Sequence, residues 1–221
     1  MWRQYRKIEA KEQLLIALDT AQGGGDYTAM QVLSKTKLDV PIVYHSQQPT
    51  SEFLPQLHRV LEAMSNITNI KPIIAIERNN GGLLHCERLA GLNIKQLYTL
   101  FKMPNIGAID IASQGGSRYG WDTNMSTRPV MISELRTAVH QGLVKVYDAM
   151  SYGEMLSFIV KNGKPQAEKN AHDDLIMSLA IAWQMYQMNL QVEVVATVNQ
   201  SPAIEVHKFP ENQILDEYGF Y

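Results

Sequence analysis

Two continuous apolar runs of strand length, each closed by an acid, constrain this chain more than any other feature. "LLIAL" leads into Asp19 and "IIAI" leads into Glu77. An alternating run would suit a strand with one wet face. A run apolar at every position suits a central strand covered on both faces, the situation of parallel strands in an α/β sheet. Asp19 and Glu77 then stand at the carboxyl ends of buried strands, the edge where open α/β sheets usually bind ligands.

The flanking pattern agrees. Residues 27–33 and 40–46 are short, rich in β-branched and apolar residues, and set off by glycine or lysine/aspartate turns, which predicts two more strands. "TSEFLPQLHRVLEAMSN" (50–66) predicts a helix capped by Thr50 or Ser51, with Phe53, Leu57, Val60, Leu61 and Met64 on one face. "NGGLLHCERLAG" (80–91) suits a short helix ending at Gly91, 95–101 a strand, and 128–142 a helix closed by a glycine. "YGEMLSFIV" (152–160) fits either element. "HDDLIMSLAIAWQMYQM" (172–188) is apolar on nearly every side and predicts a buried helix. Three early strands followed by alternating strands and helices indicate a mixed α/β sheet with helices on both faces. The expected division is one domain over 1–188 and a loosely ordered extension over 189–221, with one strand at "VEVVATV".

Composition narrows the function classes. The 221 residues suffice for one substantial core, and no apolar run approaches the roughly 20 residues that a membrane span needs. The polar, basic start "MWRQYRKIEAKEQ" has no apolar signal core. Cys86 is the single cysteine, which excludes an internal disulfide and multi-cysteine zinc sites and fits a reducing, cytoplasmic setting. With a net charge of −2, any nucleic-acid partner must be met by a local basic track or by metal ions.

Asp19, Glu77 and the pair Asp173/Asp174, which opens the apolar helix, share one context: a carboxylate at the boundary of a core. Each has an ordinary reading. Asp19 suits a turn residue, Glu77 has Arg78 beside it for a surface ion pair, and Asp173 and Asp174 both favour a helix N-terminus. Taken together they are harder to explain so. Converging carboxylates repel, and either one holds a proton or a cation sits among them. With oxygen donors alone, Mg²⁺ or Mn²⁺ is favoured over zinc.

Four segments in this order, "LDTAQGGGDYTAMQVL", "IAIERNNGG", "GWDTNMSTRPVMISEL" and "HDDLIMSLAIAW", resemble the nuclease domain of the terminase large subunit of tailed phages. The resemblance covers about residues 14–188. It implies a ribonuclease H-like fold, a five-stranded mixed core flanked by helices on both faces. It also implies Asp19, Glu77 and Asp174 as catalytic metal ligands, with Asp173 as a second ligand or an outer-shell partner. Asp26 matches a recurrent acid of that family and is equally a turn aspartate; His172 is a supporting residue or a capping one. The implied reaction is hydrolysis of a DNA phosphodiester by two Mg²⁺ or Mn²⁺ ions about 4 Å apart, leaving 5′-phosphate and 3′-hydroxyl ends. The implied task is cutting concatemeric viral DNA during packaging, in the host cytoplasm.

Partners implied by the resemblance are double-stranded DNA, an N-terminal packaging ATPase domain, the portal and the terminase small subunit. "QGGGDYT" lacks the lysine and hydroxyl of a phosphate loop, so this chain is expected not to hydrolyse ATP. Arg118 and Arg128, with Lys161 and Lys164, are candidate phosphate contacts. Trp121 and Tyr119 between the arginines read first as packing aromatics, and a solvated loop is an equal reading for the lysines. The rivals are a junction resolvase or another ribonuclease on the same fold and, from a different class, a non-catalytic module docking on the motor or portal.

Overall fold

The computed structural model describes residues 1–21, 25–79, 81–103, 119–161, 164–167, 172–191 and 193–194. In chain order the elements are β1 (Trp2–Gln4), β2 (Leu14–Asp19), β3 (Thr28–Ser34), β4 (Asp39–Ser46), α1 (Thr50–Thr68), β5 (Ile73–Ile76), α2 (Gly82–Leu92), β6 (Thr99–Leu100), α3 (Thr127–His140), β7 (Lys145–Val146), α4 (Ala149–Ser157), β8 (Phe158–Lys161), β9 (Lys164–Ala167) and α5 (Asp174–Gln187). Among the described residues, no helix is long and apolar enough to cross a membrane.

The two acid-terminated runs are neighbours. The main sheet runs β1-β4-β3-β2-β5-β6, with β7 also pairing with β4, along Asp39 and Val40. β2 pairs antiparallel with β3 and parallel with β5. The five central strands β4-β3-β2-β5-β6 form the mixed core that the sequence predicts, and β1 and β7 extend it to seven.

Because side chains alternate across a strand, each central strand serves two cores. Leu14, Ile16 and Leu18 of β2, with Ile74 and Ile76 of β5, pack with Phe53, Leu57 and Leu61 of α1 and Leu89 of α2. Leu15, Ala17, Ile73 and Ala75 face the other way, into the core formed with α3 and α5. Small residues there, with Ala180 and Ala182 of α5, let the helix lie close to the sheet. α3 and α4 pack over α5 in turn. This explains why α5 is apolar almost all round: it is covered on both sides.

Several expectations need correction. The polar, basic first residues, where the sequence predicts no element, contribute a strand to the sheet. Trp2 is buried against Tyr44 and Phe53; Arg3 pairs with Asp148, and Arg6 pairs with Glu12 and Asp39. Those ion pairs are what let a basic segment join a sheet. α1 begins after Pro49 with no side-chain cap; Thr50 instead accepts from the Ala21 N–H at 3.1 Å and pairs with Thr28 at 3.0 Å. The strand expected over 95–101 shortens to Thr99–Leu100, because Asn93 holds the preceding turn through the Leu97 N–H and the Tyr98 carbonyl. The ambiguous segment 152–160 is both elements, helix to Ser157 and strand from Phe158. Of the expected strand at 192–198, Val194 forms a bridge with Ile70; its remaining residues, except Glu193, lie outside the described residues.

Candidate active site

Register brings the first two acids together. β2 and β5 run parallel with Leu18 opposite Ile76, so the next residues, Asp19 and Glu77, stand side by side at the same sheet edge. The Glu77 N–H donates to the Leu18 carbonyl at 2.8 Å. The alternation that turns Ala17 and Ala75 toward α5 turns both carboxylates the same way. Gly82 opens α2 directly against Glu77: a Cβ there would lie 1.6 Å from the Glu77 carbonyl oxygen. Only a residue without a side chain lets the helix start so close to the acid.

Both carboxylates are buried, Asp19 8% and Glu77 6% exposed. Asp19 keeps its proton well above the usual carboxylate range. Burial is the largest cause, followed by the charge of Glu77 and the hydrogen bond between the two carboxyl groups, then Asp174 and Asp173. Asn79 bridges the neighbourhood, its amide donating to Glu77 Oε1 at 3.4 Å and to the Thr123 carbonyl at 2.8 Å. Thr20 donates to the Asn79 carbonyl at 3.2 Å.

The start of α5 delivers the other two. Asp173 is the N-cap residue and Asp174 the first of the helix. Asp174 Oδ2 is buried with no hydrogen-bond partner, and His172 Nδ1 stands 3.6 Å from it. Burial, with the negative charge of Asp173 and Asp26, pushes Asp174 up to about 6. Asp173 is paired with the Arg128 guanidinium. Tyr27 meets His172 edge-on and stacks on His45, whose buried ring is pushed down to about 4. Asp19, Thr20, Asp26, Glu77, Asn79, Arg128, Asp173, Asp174 and Met177 line one open cleft of about 450 Å³.

All four acids expected at the site therefore share a cleft, together with Asp26, and His172 stands at its edge. Arg128 is also there, but committed to a carboxylate rather than standing free for a phosphate. Trp121 is 2% exposed and stacked on Phe101, in keeping with the packing reading. Lys161 and Lys164 close the β8–β9 hairpin as a register pair. Arg118 lies outside the described residues. Sequence reasoning missed two residues. Asn79 lies within "IAIERNNGG", where nothing in the local pattern marks it for a role. Glu154 carried no signal at all; its Oε2 accepts from the Leu175 N–H at 2.9 Å and the Ile176 N–H at 3.1 Å. Burial, opposed by those bonds and reinforced by Asp174 and Asp173, pushes Glu154 up to about 8.

Among the described residues, no group of three or more His, Cys, Asp or Glu side chains stands ready-gathered to hold a metal ion. The acids line the walls of the cleft. Arg128, the one cation among the described lining residues, serves a single acid, Asp173. The donor chemistry still suits a hard divalent cation: oxygen throughout, a carboxyl pair sharing a hydrogen bond, and an orphaned buried oxygen on Asp174.

No protein-family model matches the sequence, and no curated protein matches it. Solved structures do. The large terminase nuclease from thermophilic phage G20c with bound magnesium aligns with a TM-score of 0.55 at 19% identity, covering 82% of this chain and 84% of that one. The manganese-soaked terminase nuclease domain of human cytomegalovirus aligns at 0.56 and 13%, covering 84% and 88%. The P22 large terminase nuclease domain aligns at 0.53 and 15%, covering 90% and 92%. The chain shares the fold of these nuclease domains, a ribonuclease H-like mixed sheet with helices on both faces.

Proposed function

We propose that this chain is a metal-dependent endonuclease that cuts double-stranded DNA during viral genome packaging. The observation that carries the proposal is the buried carboxyl pair Asp19–Glu77 facing Asp174 across the cleft. Three carboxyl groups held in a core boundary, with Arg128 the one cation among the described residues lining their cleft, are costly for a module that merely docks. They make sense where positive charge arrives with function. The likeness in fold to structures of terminase nucleases, among them forms with bound magnesium and soaked manganese, supports the same reading.

Asp19, Glu77 and Asp174 would hold Mg²⁺ or Mn²⁺, with Asp173 as a further ligand or an orienting neighbour. Two bound ions would supply the charge that steadies the cleaved phosphate and an activated water. The residues of the chain set the stage for this. Asp19 must give up its proton before it can serve as an anionic donor. Asn79 holds Glu77 from one side and ties it to the Thr123 peptide. Asp173 exchanges Arg128 for other partners, which releases a guanidinium at the cleft for a DNA phosphate. His172, near Asp174, is placed to orient a water.

The cut ends would be 5′-phosphate and 3′-hydroxyl, the site of action the host cytoplasm, and the working partners an ATPase domain, the portal and the small subunit. The test is cleavage of supercoiled plasmid and linear duplex with Mn²⁺ and with EDTA, for the wild type and Asp19→Asn. Cutting is expected with Mn²⁺, lost with EDTA and lost in the variant. An Asp19→Asn protein that cuts like the wild type would overturn the assignment.

A further inference from the structure

We infer that Glu154 positions the acid-bearing end of α5, reaching from α4 to fix the helical turn from which Asp173 and Asp174 project. The inference rests on the nuclease reading above and names a residue that makes its site rigid.

The first N–H groups of a helix have no partner within it. The usual remedy is the N-cap side chain, but that of Asp173 makes no cap hydrogen bond, and Arg128 takes its carboxylate instead. Glu154 does the work from another element. One oxygen, Oε2, accepts from Leu175 and Ile176, the two residues that follow Asp174. The other side of the same turn is also held: the Gln31 amide donates to the Leu175 carbonyl at 3.1 Å and to Ser151 Oγ at 2.8 Å. Ser151 and Glu154 both belong to α4. That helix is in turn anchored by Asp148, which accepts from the Ser151 N–H at 2.7 Å, the Ser151 hydroxyl at 2.9 Å and Arg3 at 2.5 Å. The turn is thus clamped at its N–H side by Glu154 and at its C=O side by Gln31.

A helix that needed only a cap would be served by Ser or Asn at position 173, with no added charge. Glu154 brings another carboxyl group toward a cleft already crowded with acids, an arrangement costly for stability alone. What a glutamate from a second helix provides is reach. It ties α5 to α4 and so fixes where Asp173 and Asp174 stand relative to Asp19 and Glu77 on the sheet.

Mn²⁺ binding isotherms and melting curves on the full chain test this, with wild type, Glu154→Gln, Glu154→Asp, Glu154→Ala and Asp19→Asn as arms. The glutamine oxygen still accepts both N–H groups at the same reach, whereas aspartate is one methylene short and alanine has no acceptor. Affinity for Mn²⁺ should therefore stay within about threefold in Glu154→Gln and fall about 10–100-fold in Glu154→Asp and Glu154→Ala, the range for losing a partner that orients a metal ligand. A merely structural role would lower the melting temperature and leave the Mn²⁺ affinity of the folded protein unmoved. Equal affinity in all Glu154 variants overturns the inference, as does the reverse order, with Glu154→Asp intact and Glu154→Gln impaired, since charge rather than reach would then matter. If Glu154→Ala does not fold, the glutamine and aspartate pair decides. A wild type that binds no Mn²⁺, or binds it as well in Asp19→Asn, overturns the nuclease reading and this inference with it; intact wild-type binding with insensitive Glu154 variants overturns the inference alone.

Discussion

Asp174→Asn should make the metal-free protein more stable while removing its response to metal. In the absence of an ion, Asp174 Oδ2 is buried without a hydrogen-bond partner, and burial with two acidic neighbours pushes the group from 3.8 up to about 6. In the unfolded chain it titrates near 3.9. Below about pH 4 it is protonated in both states and costs nothing. As pH rises from about 4 to about 6 the unfolded chain releases this proton while the folded protein retains it, so stability falls across that window and stays reduced above it. The difference corresponds to roughly 3 kcal/mol at pH 7.5. Solvent reaching the 18% of the side chain left exposed reduces this somewhat. The favourable position of an acid at a helix N-terminus, worth about 0.3–1 kcal/mol, is also lost in the amide. A net gain of about 1–2 kcal/mol remains, which for a domain of this size raises the melting temperature by roughly 2–8 °C.

Scanning calorimetry in EDTA at pH 4 and pH 7.5, then in millimolar Mn²⁺, measures every part of this. The variant should melt above the wild type at pH 7.5 and level with it near pH 4. Added Mn²⁺ should raise the wild type, because an ion that binds only the folded site stabilises it by mass action, and should leave the variant where it was. An Asp174→Asn protein that melts below the wild type at pH 7.5 in EDTA, or a difference indifferent to pH, would refute the claim that this carboxylate is held at an electrostatic cost.

Arg128→Ala should leave the salt dependence of DNA binding unchanged in EDTA, where the guanidinium is occupied by Asp173. With Ca²⁺ present it should reduce the slope of log affinity against log salt by about 0.9, one phosphate contact; equal slopes in Ca²⁺ would place the DNA path elsewhere. Parallel cleavage assays across a Mn²⁺ titration should find Asp174→Asn nearly inactive and Asp173→Asn still measurable at high Mn²⁺; the opposite order would make Asp173 the direct ligand. Gly82→Ala drives a methyl into the Glu77 carbonyl and should lower both the melting temperature and Mn²⁺ affinity; an unshifted protein would mean α2 can retreat from the acid. Trp121→Phe should keep wild-type DNA affinity in a gel-shift titration, since the indole is spent on Phe101 and on a 3.2 Å hydrogen bond to Met131 Sδ; a loss of binding would return Trp121 to the DNA path.

The legible part of this molecule is the part decided by local pattern. Apolar runs ending in acids identify buried strands whose acids stand at the sheet edge, and strand alternation then predicts which face those acids take. α5 was legible for the same reason: a helix apolar on all sides has to be sandwiched. Where charge is cancelled by a distant partner, pattern is silent. Arg3 and Arg6 belong to a start that reads only as polar and basic, and Asp148, Glu12 and Asp39 receive them beside the three-residue strand β1. Arg128 reads from sequence as a phosphate contact, but Asp173, 45 residues on, stands against it.

These omissions share a cause with physical content. Each concerns a side chain that acts on an element other than its own, and its value depends on reach and register rather than on its neighbours in sequence. Glu154 is the extreme case: one carboxylate in an unremarkable segment, bonded to two peptide N–H groups 21 and 22 residues away. The acids that would meet a metal announce themselves because an unpaired charge beside a core is costly and therefore conspicuous. The residues that hold those acids in place have found partners, and a satisfied polar group leaves no such trace. A sequence of this kind should accordingly reveal the donors of a metal site sooner than the scaffold around them, and the variants at Glu154 test whether that scaffold governs Mn²⁺ affinity as strongly as the donors do.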